Sequence, residues 1–178
     1  QFGLYTYYLS IAFLVAIPVQ AGLPALLMRE VAIAKASNRW PLILGAWRFG
    51  ALLVLSFSAL ALVGMVFYYA GFRGATHHKH DLIFILSCCL VPFLGLSAVR
   101  SAVTRGLGRV VAGQSPELIL KPVLILLGLV TLGRYLPLSS ATAMAVNLGS
   151  SILALLVGGV ILSKIIKKEG PGGIAQYS

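Results

Sequence analysis

The stretch 47–70, "WRFGALLVLSFSALALVGMVFYYA", carries one charge, Arg48, at its start and is almost continuously apolar from there on. A helix rising 1.5 Å per residue needs roughly 20 residues to cross a hydrocarbon core about 30 Å thick, and this run is long enough. It lacks the alternation over about ten residues that marks a transmembrane strand. With no water in a bilayer to satisfy backbone groups, such a run folds as a membrane-spanning helix.

Four more runs of the same kind follow from the sequence, at about 4–28, 82–99, 116–133 and 141–163. Composition agrees with them. The chain is 59% hydrophobic and 10% charged, against roughly 45–50% and 25% in soluble domains, and its mean hydropathy is +0.97. The expected fold class is all-α, a polytopic transmembrane bundle of about five helices. The formal charge of +10 does not point to nucleic acid, because the apolar runs leave no continuous basic face or tail to follow phosphates.

Lys and Arg set the orientation. Arg29, Lys35, Arg39 and Arg48 flank one connection, Arg100, Arg105, Arg109 and Lys121 another, and Lys164, Lys167 and Lys168 follow the last run, while the opposite connections hold only Arg73, Lys79 and Arg134. The positive-inside rule puts the first set in the cytoplasm. The first segment then starts outside, at Gln1-Phe2-Gly3-Leu4-Tyr5, which leads us to expect an upstream helix and a chain forming part of a larger lobe. Residues 1–168 read as that partial transmembrane lobe and 169–178 as a cytoplasmic linker rich in glycine.

Several positions carry chemistry. "IPVQAGLP" (17–24) places Pro18, Gln20, Gly22 and Pro24 inside one segment, so a hinge or break is expected there, as a packing kink or as part of a cavity wall. Arg29, next to Glu30, reaches the interface, where its planar fork suits phosphate oxygens. In "VRSAVTRGLGRVVAGQSPELILKP" (99–122), Arg105 and Arg109 share a helical face and Arg100 points away from it. The first two read as anchors to lipid head groups and Arg100 as the one turned inward. Gly106 and Gly108 are expected to break the helix and turn the chain along the membrane surface.

Ser115-Pro116-Glu117 reads as a helix start, with Ser115 as cap. Lys121, four residues after Glu117, is placed either to pair with it or to serve a substrate. Asn147 reads as an interhelical hydrogen bond or a cavity contact, beside a small face of Ala141, Ala145 and Gly149. Cys88 and Cys89 read as small apolar packers. "HHKHD" (77–81) has three imidazoles beside a carboxylate but no second cluster to complete a metal site. The four carboxylates are scattered and form no catalytic constellation, so no catalytic residue, metal or cofactor is assigned.

"FGLYTYYLSIAF" (2–13), "AGLPALLMREVA" (21–32) and "RSAVTRGLGRVVAGQSPELILKPVL" (100–124) together resemble the N-terminal half of bacterial oligosaccharide flippases, members of the multidrug/oligosaccharidyl-lipid/polysaccharide exporter superfamily. The resemblance covers about residues 2–168. It implies helices two to six of a six-helix lobe in the bacterial cytoplasmic membrane. It also implies transport of an undecaprenyl-diphosphate-type lipid-linked oligosaccharide for cell-surface polysaccharide, beside membrane lipids and the polysaccharide polymerase machinery. Under that reading Arg29, Arg100 and Lys121 meet the diphosphate, and Gln20 and Asn147 line the cavity. Three alternatives stand beside it: a multidrug or cation antiporter of the same superfamily, a membrane enzyme acting on lipid-linked sugars, and a non-catalytic scaffold or assembly subunit. The antiporter should favour a carboxylate inside a segment, where these five runs are expected to have none.

Overall fold

A computed structural model describes residues 2–20, 22–71, 78–134 and 139–169. These form α1 (Phe2–Gln20), α2 (Leu23–Ala36), α3 (Trp40–Gly71), α4 (His78–Gly106), α5 (Val110–Ser115), a π-helical turn (Pro116–Leu120), α6 (Lys121–Gly133) and α7 (Ser140–Glu169). Four stretches are long and apolar enough to cross a membrane: Trp40–Phe67, Ile83–Gly106, Val110–Thr131 and Ser140–Lys168. The pair α1 and α2, bent by 48°, passes the same test together and gives a fifth if the two are counted as one broken span. The protein is an all-α, polytopic membrane bundle, as its apolar runs require.

The break in the first span has one local cause. Gly22 takes φ 74°, a left-handed conformation that costs glycine nothing and other residues about 1 kcal/mol or more. Pro24 then falls in the first turn of α2, where its missing N–H would have had no partner. Pro18 lies inside α1. The hinge expected around 18–24 is therefore a helix end at Gly22 followed by a fresh start, and α2 runs on to Ala36, well past residue 28.

Two turns at the basic end share one design. After α2, Asn38 takes φ 53°, its N–H donates to the Lys35 carbonyl, and the Arg39 N–H reaches back to that of Ala34. After α4, Gly108 takes φ 79°, its N–H donates to the Arg105 carbonyl, and the Arg109 N–H reaches back to that of Thr104. Both are Schellman caps, which satisfy the last carbonyls of a helix and reverse the chain at once. Lys35 ties the two together by donating from Nζ to the Leu107 carbonyl at 2.6 Å, a cation on a helix C-terminus.

The break expected at Gly106 and Gly108 is present: α4 runs past the apolar stretch that ends at residue 99 and stops at Gly106. The second turn corrects two other expectations. The chain does not run along the surface after Gly108; it starts the next span at Val110. Ser115 makes no side-chain cap, because the helix has already begun. Pro116 lies in the helix interior instead, where it has no N–H for the ladder, and the backbone takes up a wider turn in which the Lys121 N–H donates to the Pro116 carbonyl, five residues back.

Helix α4 is the axis of the bundle, packing against α1, α2, α3, α5 and α7. Its face buries Leu90, Val91, Val99 and Ala102 with Leu27 of α2, Val54 of α3 and Met144 of α7. Toward the basic end Val103 and Leu107 pack with Val31, Ala34, Ile43 and Leu162. The second cluster brings the ends of α2, α4 and α7 and the start of α3 together, so the basic residues flanking these ends share one side of the bundle. The small face expected on α7 is not the packed one, since Ala145 is exposed and Gly149 meets nothing nearby. The buried stripe is Ser140, Met144, Asn147, Ser151, Ala154, Gly158 and Leu162, a spacing of three and four that keeps one side of a helix facing its neighbours.

Candidate functional site

Helical rise places Arg100 about 9 Å inside the end of α4 at Gly106 and Glu117 about 10 Å inside the start of its span at Val110. Lys121 lies deeper, roughly 16 Å from Val110 along the axis, about halfway along the span. This is deeper than a helix starting at Pro116 would place it, because the helix starts six residues earlier, at Val110.

Arg100 is fully buried, 0% exposed. Its Nη2 lies 3.5 Å from Glu117 Oε1, and the same oxygen accepts a hydrogen bond from the Ser97 hydroxyl. Ser97 stands one turn before Arg100 on α4, so both side chains leave the helix on the same side. Nε and Nη1 of Arg100 find no acceptor among the described residues. The guanidinium lies against Gly158 of α7, where an added methyl would overlap Nη1, Cζ and Nε. A cation inside the bundle thus depends on a glycine that leaves room for it and a carboxylate that balances it.

Glu117 opens onto a cleft of about 360 Å³ among α1, α4, the π turn, α6 and α7, lined by Ser97, Glu117, Lys121 and Ser151 with apolar walls that include Phe13 and Phe93. The expected Glu117–Lys121 pair does not form. No hydrogen bond or ion pair joins them among the described residues, because the carboxylate turns to Arg100 and Ser97 on α4. Two cations and one carboxylate therefore lie at or just behind this cleft, leaving one positive charge unbalanced there. A charge here is costly: an Arg or Lys at a helix centre in a bilayer carries roughly 2.5–3.5 kcal/mol on insertion scales, and such groups mark ion and substrate paths.

The other candidates lie elsewhere. Arg29 is exposed on α2 and does not line this cleft. Arg105 is half-buried, its Nε donating to the Ser101 carbonyl of its own helix, and Arg109 is exposed at the start of α5. Asn147 is buried and donates to the Tyr5 hydroxyl at 3.0 Å, so it joins α7 to α1 and does not line the cleft. The Gln20 side chain and those of 77–81 lie outside the described residues. A larger groove of about 450 Å³ between α2 and α3 is lined mostly by apolar side chains, with Glu30 and Arg39 among them, and has no buried charge.

Ser97, Ser151 and Gly158 were not singled out in the sequence. Ser97 could have been found as the polar residue one turn before Arg100. Gly158 could have been found on the three-and-four stripe of small residues in α7, but only with knowledge that Arg100 packs there. No protein-family model, curated protein or solved structure matches the chain.

Proposed function

We propose that the protein is a flippase for a lipid-linked oligosaccharide, with a polyprenyl diphosphate head group held in the cleft beside Glu117 and Lys121. The observation that carries this reading is the unbalanced positive charge inside an apolar bundle: Lys121 lines an open cleft whose one carboxylate, Glu117, is engaged by the buried Arg100 behind it. An amphiphile with an anionic head and a long hydrocarbon tail fits both halves of that environment, since the head meets the cations while the tail stays in lipid. The resemblance in 2–13, 21–32 and 100–124 supports the same substrate class and a place in the bacterial cytoplasmic membrane. The basic end then faces the cytoplasm, and the head group enters from that side past Arg105 and Arg109, which hold anionic lipid.

Glu117 favours one competing reading. A cation antiporter calls for a carboxylate inside a segment, and Glu117 is one, although its contact with Arg100 at 3.5 Å neutralises it. The two readings separate on Lys121. If the substrate is anionic, Lys121→Gln reduces glycan export by about tenfold at unchanged protein level, the equivalent of one charge-assisted contact, and Lys121→Arg retains most of it. A cation antiporter gains or keeps activity when Lys121 is neutralised. Export of surface polysaccharide in a strain carrying only the variant, alongside uptake of a cationic dye, reads both.

A further inference from the structure

We infer that Glu117 is a resident competitor for the transported anion, its carboxylate taking the position on Arg100 that a phosphate of the substrate takes during transport. This rests on the proposed substrate class and adds to it the residue that sets how tightly the head group is held.

Three observations lead there. The guanidinium is underused: Glu117 contacts Nη2 alone, at 3.5 Å, where a charge-assisted bond to carboxylate or phosphate closes to about 2.7–2.9 Å and Arg favours two parallel bonds. Nε and Nη1 have no acceptor among the described residues. The two partners also differ in freedom. The Arg100 side chain is 1% exposed and that of Glu117 36%, so the carboxylate can swing into the cleft while the guanidinium, held against Gly158, stays. Finally, Lys121 lines the same cleft without bonding Glu117. Once Glu117 has swung away, a phosphate in the cleft, with more acceptor oxygens than a carboxylate, can take its place at Nη2 of Arg100 and reach toward Lys121 at the same time.

In this arrangement the substrate must first displace Glu117. The apparent affinity is reduced by the fraction of molecules in which Arg100 is already engaged. A transporter that must release its cargo on the far side gains from that reduction, because the carboxylate closes back on Arg100 as the phosphate leaves. Ser97 holds the carboxylate in the engaged position and so strengthens the competitor.

The test is calorimetric titration of the intact protein in detergent with farnesyl diphosphate, with farnesol as the control lacking the head group. The parent binds the diphosphate more tightly than the alcohol. Glu117→Gln tightens the diphosphate by about tenfold and Ser97→Ala by about threefold, amounts in the range of one charged and one neutral hydrogen bond, and neither changes farnesol binding. Ser97→Ala retains every charge and keeps the question open to test if Glu117→Gln fails to fold. If the parent discriminates but both variants bind the diphosphate no more tightly than it does, the competitor role is overturned and the substrate class stands. If the parent binds farnesol as well as the diphosphate, the substrate reading falls and takes the competitor role with it.

Discussion

Gly158→Ala is expected to destabilise the protein by about 1–3 kcal/mol, the cost of the cheaper of two ways to relieve the clash, and to abolish export. The added methyl would lie on the Arg100 guanidinium, and Arg100 is enclosed, at 0% exposure. Either α4 and α7 move apart, with an overpacking cost of roughly 1–3 kcal/mol, or the guanidinium leaves Glu117 and a buried charge loses its partner, which costs about 3–5 kcal/mol. Thermal unfolding of the purified protein measures the loss. The cause is checked by coupling: in an Arg100→Ala background the side chain ends at Cβ, well short of Gly158, so Gly158→Ala should cost much less there, giving a strongly non-additive pair. Additive effects, or a Gly158→Ala protein as stable as its parent, would show that the guanidinium does not depend on that glycine.

Arg100 itself gives the second large effect. Arg100→Leu removes the cation and leaves Glu117 facing an apolar wall, so export is lost and stability falls. Pairing it with Glu117→Gln removes both charges, and replacing a buried ion pair by uncharged groups of similar size is often neutral or stabilising by about 1–4 kcal/mol. The double variant is therefore expected to fold as well as the parent while exporting no glycan. That dissociation assigns the pair to function. A double variant that is both stable and fully active would assign it to architecture alone.

The bundle was legible from the sequence because its physics is local. A run such as 47–70 leaves no other way to satisfy its backbone in lipid, and Gly22 and Gly108 mark helix ends by themselves. The site was legible only in part. Ser115-Pro116-Glu117 has the local chemistry of a helix start, yet the helix begins at Val110 because the cap after α4 uses Gly108 and Arg109 and leaves no loop to spend on a surface segment. That shift of six residues carried Lys121 deeper and turned Pro116 into the cause of a π turn. The pairing of Glu117 followed the same pattern. The i,i+4 rule offered Lys121, while Ser97 and Arg100 on a neighbouring helix offered a hydroxyl and a guanidinium, and tertiary contacts of this kind leave no periodic trace in the chain. Arg29 shows a related shift: the apolar run ends just before it, but α2 continues to Ala36, so it lies midway along that helix, exposed and outside the cleft.

The central claim, that the charged cleft moves an anionic lipid-linked glycan across the membrane, is tested most directly in reconstituted vesicles. The intact protein is placed in liposomes containing a fluorescent polyprenyl-diphosphate oligosaccharide, and the fraction of the label that an external lectin can bind is followed with time. The account predicts that this fraction rises above the half exposed by protein-free vesicles, that it does not rise with the Arg100→Leu/Glu117→Gln variant, and that the glycan remains attached to its lipid throughout. Accessibility identical to protein-free vesicles, or glycan released from the lipid, would contradict it.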